Sequence, residues 1–389
     1  MRIIRLLNYL KDCLNFYNIV SSIKIFFYSI LKQNTRYPKY LLNFEKEVSA
    51  YFGSKYALSF SNGTTACTAL LYSLGVKKNS KIIISKLTFP SVISSILRIG
   101  AIPVYLDFDK NLEIKEENTN NDKILGANFF LVTHVYGLPQ NIERIESILA
   151  LNKKLILIED ISHAQGAIVN NKMVGTLGEG SFMSMQGDKA IHAGEGGIVL
   201  TNSDHIYNRL IYLSHLNRKT SKDNNTNLLS KIGFIGKGRM NPLGAITALR
   251  DIKNLHKRNK IIREKIKIIY EDLKDLKNFD VPKIDNYKNL GGFHYGIPFF
   301  CNLDSSLDKL KSKFKVVKYN WPILDSDENF HDPDKFLNLL YSNDLKIKKV
   351  FEKSNDLRDQ LYFFDLNEII NWSKIKIKKK LEIIKKYEN

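Results

Sequence analysis

One lysine, Lys189, lies between a short apolar-alternating stretch and a Gly-Glu-Gly-Gly turn in the segment SFMSMQGDKAIHAGEGGIVL at residues 181–200. A lysine held in a loop at the end of a strand is partly removed from water, and desolvation favours its neutral amine. Because a neutral amine attacks carbonyl carbons, Lys189 is a candidate Schiff-base lysine. Taken by itself, however, the segment suits a solvated surface lysine better.

Two stretches have the residue types of a phosphate site. Residues 62–65, NGTT, join a predicted strand to a predicted helix, and the backbone N–H groups at a helix start bind anions. Ser184, five positions before Lys189, offers a hydroxyl to the same phosphate. Each stretch also has a purely structural explanation, because NGTT can cap a helix without a ligand and a serine can cap a turn.

Three further side chains could contact a planar ring. Asp160 follows a predicted buried strand, where a carboxylate is costly unless it meets a protonated ring nitrogen, a helix N-terminus or a lysine. His163 could lie flat over the ring or make hydrogen bonds in the core. Phe89 could stack on the ring or pack in the core. Groups that bind a phosphate, side chains that contact a ring and a Schiff-base lysine are the features that a binding site for pyridoxal phosphate (PLP) requires, and they occur here in that order.

These side chains need a scaffold that brings strand ends together. Short apolar runs without alternation are typical of strands covered on both faces, and they occur at residues 57–60, 81–84, 103–106, 129–132 and 155–158. Helical stretches, such as 90–98 and 142–151, separate several of them. The pattern predicts an α/β fold: a three-layer αβα domain with a mostly parallel sheet, whose ligands gather at the carboxyl ends of the strands.

The composition of the chain changes after Asn241. A long helical region at 242–276 is followed by a mixed α+β segment that ends in a basic helix. We therefore predict a large PLP-binding domain at 34–255 and a smaller C-terminal α+β domain at 256–389, with the boundary inside the long helix. Residues 1–33 carry apolar side chains every three or four positions, which predicts an amphipathic helical extension.

The overall charge does not identify a partner. The chain has 389 residues, with 59 Lys and Arg against 40 Asp and Glu, a net charge of +19. This charge suits a phosphorylated substrate, a nucleic acid or an anionic membrane. The lysines are spread along the chain, and no aromatic-basic array of the kind that binds single strands is present. We expect no nucleic-acid partner.

Metal binding, disulfides and membrane insertion are not indicated. The three cysteines are far apart and odd in number, which suits a reducing compartment. The eight histidines do not show metal-ligand spacing, so we predict no metal. Charges interrupt the apolar residues of 1–33, and no cleavage site follows. We expect a cytoplasmic protein whose extension could lie on a membrane surface, or pack against the body or a partner subunit.

From about residue 37 to residue 276, the chain resembles the DegT/DnrJ/EryC1/StrS family of PLP-dependent aminotransferases, which have the aspartate-aminotransferase-like fold type I. Motifs that match in order carry the resemblance: SNGTTACTALL, KLTFPSVISSILRIGAIPVYLDFD, THVYGLPQNIERI, IEDISHAQGA, GTLGEGSFMSMQGDKAIHAGEGGIVLTN and RMNPLGAITALRDIKNLHKRNKIIREKIKIIY.

The resemblance implies a role for each candidate residue. Lys189 would form the Schiff base and move protons at the substrate carbon, and Asp160 would pair with the ring nitrogen. Phe89 and His163 would hold the ring between them. The phosphate would be held by Gly63, Thr64 and Ser184. The resemblance also implies a homodimer with shared active sites, in which the GKGRM block with Lys237 reaches the phosphate bound by the partner.

The resemblance further implies the reaction. An amino group would pass from glutamate or glutamine to a keto group on a nucleotide-diphosphate sugar, in surface polysaccharide or glycoside biosynthesis. A keto-cyclitol acceptor, or a non-catalytic protein with a binding or regulatory role, are the alternatives. Related sugar dehydratases have a histidine in place of the Schiff-base lysine, whereas here Lys189 is present and His192 lies three residues too late.

The sequence departs from the family pattern in three places. Lys237 stands where the family commonly has an asparagine, and His163 stands where a glutamine is more usual. Beyond Asn278 the similarity fades. The cross-subunit contact and the substrate contacts of the C-terminal part are therefore the least specified by sequence.

Overall fold

The computed structural model describes residues 20–23, 39–115, 122–214, 234–235, 238–321, 324–341 and 357–388. Its helices are α1 (Lys39–Phe52), α2 (Gly63–Ser73), α3 (Pro90–Arg98), α4 (Asp122–Leu125), α5 (Ile142–Leu151), α6 (Asp204–Ser214), α7 (Pro242–Leu273), α8 (Asp304–Lys311), α9 (Pro333–Tyr341), α10 (Leu366–Asn371) and α11 (Lys374–Glu388). Its strands are β1 (Tyr56–Phe60), β2 (Lys81–Ser85), β3 (Ile102–Leu106), β4 (Phe129–Thr133), β5 (Ile156–Asp160), β6 (Ile168–Val169), β7 (Lys172–Met173), β8 (Gly180–Ser184), β9 (Gly197–Thr201), β10 (Phe279–Asp280), β11 (Gly296–Cys301), β12 (Val316–Lys318) and β13 (Leu361–Asp365).

Seven strands form the main sheet in the order β1-β9-β8-β5-β4-β2-β3. The pairs from β3 to β8 are parallel, and β9 runs antiparallel to both of its neighbours, β1 and β8. The carboxyl ends of β2, β4, β5 and β8 therefore meet at one edge of the sheet. This edge is where an open parallel sheet binds ligands.

Both faces of the sheet are covered, which explains the apolar runs in the sequence. Ile82 and Ile84 of β2 pack into a core that includes residues of α2, α3 and α6. Ile83, between them, points into a core with residues of α4 and α5 on the other face. Because successive side chains of a strand point to opposite faces, a strand covered twice needs apolar residues at every position. The predicted three-layer α/β fold is confirmed.

A second, smaller sheet lies in the C-terminal part of the chain. Its four strands are antiparallel, in the order β10-β11-β13-β12. Helix α7 joins the two regions: Leu249 and Leu255 in its first half pack in the core with α1, and Ile262 and Ile269 in its second half pack in the core of the small sheet. The proposed division between residues 255 and 256 falls between these two halves.

Some predictions concern residues outside the described ranges, and the position of Asp160 differs slightly from the predicted one. Lys237 lies outside them, as does the extension at 1–33 apart from residues 20–23. Asp160 is the last residue of β5 rather than a residue beyond it. Among the described residues, no helix is long and apolar enough to cross a membrane. The same residues contain no group of three or more His, Cys, Asp or Glu that could hold a metal ion.

Candidate active site

A cavity of about 560 Å³ opens at the edge where the carboxyl ends of the parallel strands meet. It brings together every predicted site residue that the structure describes: Gly63, Thr64, Phe89, Asp160, His163, Ser184 and Lys189. These residues come from four separate segments of the chain. The eighth predicted residue, Lys237, lies outside the described ranges.

Lys189 lies in the loop between β8 and β9 and is only 9% exposed. Burial lowers the pKa of its amine to about 8, although the nearby carboxylates of Asp188 and Asp160 favour the charged form. A lysine with a pKa near 8 has a substantial neutral fraction at physiological pH. Lys189 is therefore able to act as a nucleophile, which an ordinary surface lysine with a pKa of about 10.4 is not.

A buried glutamine fixes the loop that carries Lys189. The Gln165 side chain is fully buried, donates from Nε2 to the Ser184 carbonyl (2.9 Å) and accepts from the Ile191 N–H (2.7 Å). These two groups flank the lysine, so one amide ties both ends of the loop together. The sequence did not single out Gln165, because only the folded chain brings its amide to these two backbone groups.

The start of α2 and the end of β8 form an anion cradle. The Asn62 side chain caps the helix by accepting from the Thr65 N–H (2.8 Å), and the N–H groups of Gly63 and Thr64 have no acceptor within the helix. A Cβ at position 63 would lie 2.7 Å from Cβ of Ser184, so only glycine allows this close approach. The cradle therefore offers backbone N–H groups and two hydroxyls, those of Thr64 and Ser184, to a phosphate.

Asp160 and His163 lie at the floor of the cavity. Asp160 is 3% exposed, and the Ser162 N–H donates to its Oδ1 (2.9 Å). Burial raises the pKa of Asp160, and the hydrogen bonds from Ser162 and the charge of Lys189 oppose this shift. His163 is 4% exposed and its Nδ1 is buried without a hydrogen-bond partner. Burial and the charge of Lys189 hold its pKa well below the usual range, so it is neutral.

Phe89 stands at the mouth of the cavity, in front of α3. Its ring is 42% exposed and meets the edge of Trp321, with ring centroids 5.1 Å apart. An aromatic side chain that stays exposed at a cavity mouth is available to a planar ligand. The side chain is therefore not packed in the core, which was the alternative that the sequence left open.

The residues in the cavity fit PLP. The cradle between Gly63 and Ser184 suits a phosphate, and the buried carboxylate of Asp160 suits a positively charged ring nitrogen. His163 offers a neutral ring beside that carboxylate. Lys189 supplies an amine in the same cavity, so each part of the cofactor has a chemically matched residue.

Sequence reasoning missed the part of the cavity that comes from beyond Asn278. His294, Tyr295 and Trp321 line it. The loop that carries the first two is held by α7, because Arg258 donates to the Gly292 carbonyl and Arg263 donates to the Leu290 carbonyl, both at 2.6 Å. The Gly-Gly pair before an aromatic pair in GGFHY was the signal that could have indicated this loop.

The other residues that line the cavity share one feature: most are polar and lie at strand or helix ends. They are Asn62, Thr65, Ser91, Arg98, Thr133, Ser162, Phe182, Gln186, Asp188 and Glu195. His192, in contrast, does not line it. Its Nδ1 lies 2.5 Å from the Asp251 carboxylate on α7, so it anchors the lysine loop from outside.

Comparisons with known proteins identify the family of this chain. The sequence model of the DegT/DnrJ/EryC1/StrS aminotransferase family matches residues 29–318. A GDP-perosamine synthase of Vibrio cholerae is 30% identical over 230 residues, which cover 56% of this chain and 62% of that protein. A GDP-perosamine synthase of Escherichia coli O157:H7 is 33% identical over 179 residues, 44% of this chain and 48% of that protein. The match thus spans about half to two thirds of these relatives.

A solved structure shows that the fold is shared over nearly the whole chain. It is a GDP-4-keto-6-deoxymannose-3-dehydratase with a trapped PLP-glutamate geminal diamine, with a TM-score of 0.73 and 21% identity over 94% of this chain and 97% of that one. The predicted fold type I is therefore confirmed. The family match likewise confirms the predicted enzyme class, and this match together with solved neighbours that hold PLP confirms the predicted cofactor. The chain belongs to the DegT/DnrJ/EryC1/StrS aminotransferase family.

Proposed function

We propose that this protein transfers an amino group from glutamate or glutamine to a keto group on a nucleotide-linked sugar, in surface polysaccharide or glycoside biosynthesis. The observation that carries the proposal is one cavity in which a buried lysine amine, a buried carboxylate and an anion cradle meet. The lysine distinguishes it from the sugar dehydratases that carry a histidine at this position. The names of the two GDP-perosamine synthases support the choice of a nucleotide sugar.

The side chains of the cavity have separate tasks in such a reaction. PLP, when bound, supplies the electron sink that lets an amino group leave one carbon and join another. Lys189 would move the proton between the substrate carbon next to the nitrogen and the cofactor carbon that takes up that nitrogen, because its lowered pKa allows both protonation states near neutral pH. Asp160 balances positive charge at the ring nitrogen. The N–H groups of Gly63 and Thr64 and the Ser184 hydroxyl hold the phosphate.

The proposal is tested by separating the two half-reactions. Purified protein is loaded with PLP, and the cofactor absorbance is followed after addition of glutamate or glutamine. We expect one of them to bleach the absorbance, and a nucleotide keto-sugar from a panel to restore it. The panel includes keto-cyclitols. If only keto-cyclitols restored the absorbance, the acceptor would be a keto-cyclitol and not a nucleotide-linked sugar.

Two variants make this test specific. Lys189→Ala should abolish turnover with every acceptor, while Lys172→Ala, which removes an exposed lysine of β7, should leave it unchanged. Protein that takes up no PLP, or that no amino donor bleaches, would instead indicate a non-catalytic binding or regulatory protein.

The assembly and location of the protein are also proposals. We propose a homodimer with shared active sites in the cytoplasm, with residues 1–33 able to contact the inner membrane surface. Co-sedimentation with anionic vesicles, before and after deletion of 1–33, tests the contact. If the full-length and the truncated protein sedimented equally with the vesicles, the extension would instead pack against the rest of the chain or against a partner subunit.

A further inference from the structure

His294 lies in the cavity but has no part in the phosphate cradle or at the carboxylate of Asp160. Its side chain is 7% exposed, and its Nδ1 is buried without a hydrogen-bond partner. The nearest carboxylate oxygen, Oδ1 of Asp188, is 3.8 Å from Nδ1, which is beyond hydrogen-bond distance. A buried polar atom without a partner is destabilising unless a ligand pairs with it. This nitrogen therefore indicates a ligand contact.

The backbone around His294 is in a conformation that side chains rarely adopt. Phe293 and Tyr295, on either side of it, have φ values of +49° and +74°. Gly292 packs so closely on the main chain that a Cβ there would lie 2.4 Å from the Gln165 nitrogen. Local strain of this kind persists where the surrounding structure holds a residue in place for function. The loop thus keeps His294 in the cavity at a conformational cost.

Trp321 and His294 share two ring neighbours, His163 and Tyr295. Its ring centroid lies 5.3 Å from that of His163, 5.1 Å from that of Phe89 and 6.1 Å from that of Tyr295. His294 itself lies 4.6 Å from His163, measured between ring centroids. A polar nitrogen and an aromatic face that belong to two neighbours of His163 match a ring with hydroxyl groups and apolar C–H edges.

The protonation state of His294 narrows the chemistry of this ligand. Burial, together with the charge of Lys189, lowers its pKa, so the imidazole is neutral. A neutral imidazole donates or accepts at Nδ1 according to its tautomer, which suits a hydroxyl group that can also do either. A carboxylate or a phosphate would favour a cation instead. A ring hydroxyl is therefore a well-matched partner for this neutral imidazole.

We propose that His294 and Trp321 form the subsite for the hydroxyl-bearing ring of the amino acceptor. His294 hydrogen-bonds one ring hydroxyl and Trp321 packs against the ring's apolar face. The hydroxyl enters between His294 and Asp188, whose side chain is 66% exposed and can rotate away. This inference rests on the proposed function, because it takes a cyclic polyol as the substrate of the same cavity.

The test compares acceptors that lack single ring hydroxyls. The PLP-loaded wild type and His294→Phe, which keeps a ring but loses both nitrogens, are assayed with the accepted nucleotide keto-sugar and with its deoxy analogues. We expect one deoxy analogue to lower the acceptor-side kcat/KM of the wild type by about 10- to 100-fold. His294→Phe should show the same loss with the intact sugar and no further loss with that analogue. His294→Gln should recover part of it.

The controls separate this inference from a folding defect and from the proposed function. His256→Phe, an exposed histidine of α7, should behave as wild type, and His294→Asn replaces His294→Phe if the latter does not fold. If each deoxy analogue lowered kcat/KM by the same factor in His294→Phe as in the wild type, the proposed subsite would be wrong while the proposed function would stand. Wild-type protein that no amino donor bleaches, or that no keto-sugar restores, would overturn the proposed function and the subsite with it.

Discussion

At the scale of single residues, burial decides the chemistry of the site. Lys189 and Asp160 are oppositely charged groups in one cavity, and burial moves both of their pKa values toward the neutral form. Neither shift is visible in the sequence, where Lys189 suits a surface lysine. The site therefore holds a reactive amine together with a carboxylate that requires a cationic partner.

The first prediction concerns the pH dependence of cofactor capture by Lys189. Only the neutral amine attacks, so the rate of covalent PLP capture should rise with pH and level off above about 8, the pKa of Lys189. Stopped-flow absorbance measures the rate, and borohydride reduction followed by mass spectrometry locates the bond. A rate that continues to rise to pH 10 would show that Lys189 has the pKa of an exposed lysine.

The same pKa has a consequence for stability. The unfolded chain binds more protons than the folded chain between pH 8 and 10.5, the folded and ordinary pKa values of Lys189. The free energy of unfolding of the cofactor-free protein should therefore rise with pH through this window. Lys189→Met should remove this contribution to the rise, which urea unfolding at several pH values would measure.

The second prediction concerns Asp160→Asn, which removes the charge but keeps an acceptor for the Ser162 N–H. Because burial raises the pKa of Asp160 in the folded state, the group favours folding below its ordinary pKa of 3.8 and loses that contribution as pH rises. The cofactor-free variant should unfold at a higher temperature than wild type at pH 7, with the difference disappearing near pH 3.

The effect of Asp160→Asn on cofactor binding should have the opposite sign. Loss of a charged partner for the ring nitrogen should weaken PLP binding by about 10- to 100-fold. Equilibrium dialysis gives the dissociation constant. If the variant bound PLP as tightly as wild type, Asp160 would have only a structural role.

At the scale of elements, the junction between α2 and β8 sets the phosphate cradle. Gly63→Ala would place a Cβ 2.7 Å from Cβ and 2.9 Å from Cα of Ser184, and the helix start must then move away from the strand. We expect a loss of about 1–3 kcal/mol in the free energy of unfolding and PLP binding weakened by about 10-fold or more.

The matched control for this third prediction is Gly187→Ala, in the lysine loop, where a Cβ would have its nearest neighbour at 3.8 Å. It should bind PLP as wild type does. Thermal unfolding and PLP titration measure both variants, and equal behaviour of Gly63→Ala and Gly187→Ala would show that the close approach is not needed.

The fourth prediction concerns the loop that Gln165 fixes. Gln165→Leu leaves the Ser184 carbonyl and the Ile191 N–H without their partner, which should cost about 2 kcal/mol of unfolding free energy. A looser loop admits water to Lys189, so the pH at which PLP capture levels off should move above 8. A variant with lower stability but an unchanged pH profile would limit Gln165 to a structural role.

At the scale of the whole molecule, α7 connects the two parts that form the cavity. Asn259 in its middle donates to the Gln165 carbonyl (3.0 Å) and accepts from the Gly292 N–H (3.2 Å). One buried side chain thus links the segment behind the lysine loop to the loop of His294. The acceptor subsite and the lysine loop are held in one rigid arrangement.

The fifth prediction concerns the proposed homodimer, for which light scattering should give twice the mass of the chain. Within the chain, the Ser61 N–H donates to the Gly238 carbonyl (2.6 Å), so Gly238, the third residue of GKGRM, lies beside the cradle loop. If the block also completes the partner's site, mixed dimers of Lys189→Ala and Lys237→Ala should regain about a quarter of wild-type activity. Mixtures without activity would place the block in its own subunit's site.

The sequence alone predicted a mostly parallel sheet covered on both faces, with seven candidate residues at strand or helix ends, whereas the strand order and the antiparallel strand β9 came from the structure. Continuous apolar runs are typical of strands buried on both faces, and neighbouring parallel strands place their carboxyl ends at one edge of the sheet. The positions of Gly63, Asp160, Ser184 and Lys189 at one edge follow from that rule, together with the resemblance to a known family.

Only the tertiary structure decided the lowered pKa of Lys189, the support from Gln165 and the acceptor side of the cavity. The first depends on how much water the fold removes, and the second on contacts between segments that are distant in sequence. His294 and Trp321 come from a region where the family resemblance fades and only the short GGFHY pattern marks the loop, and a strained loop anchored to α7 brings His294 to the cavity. Such contacts are properties of the packed chain, which local sequence patterns do not encode.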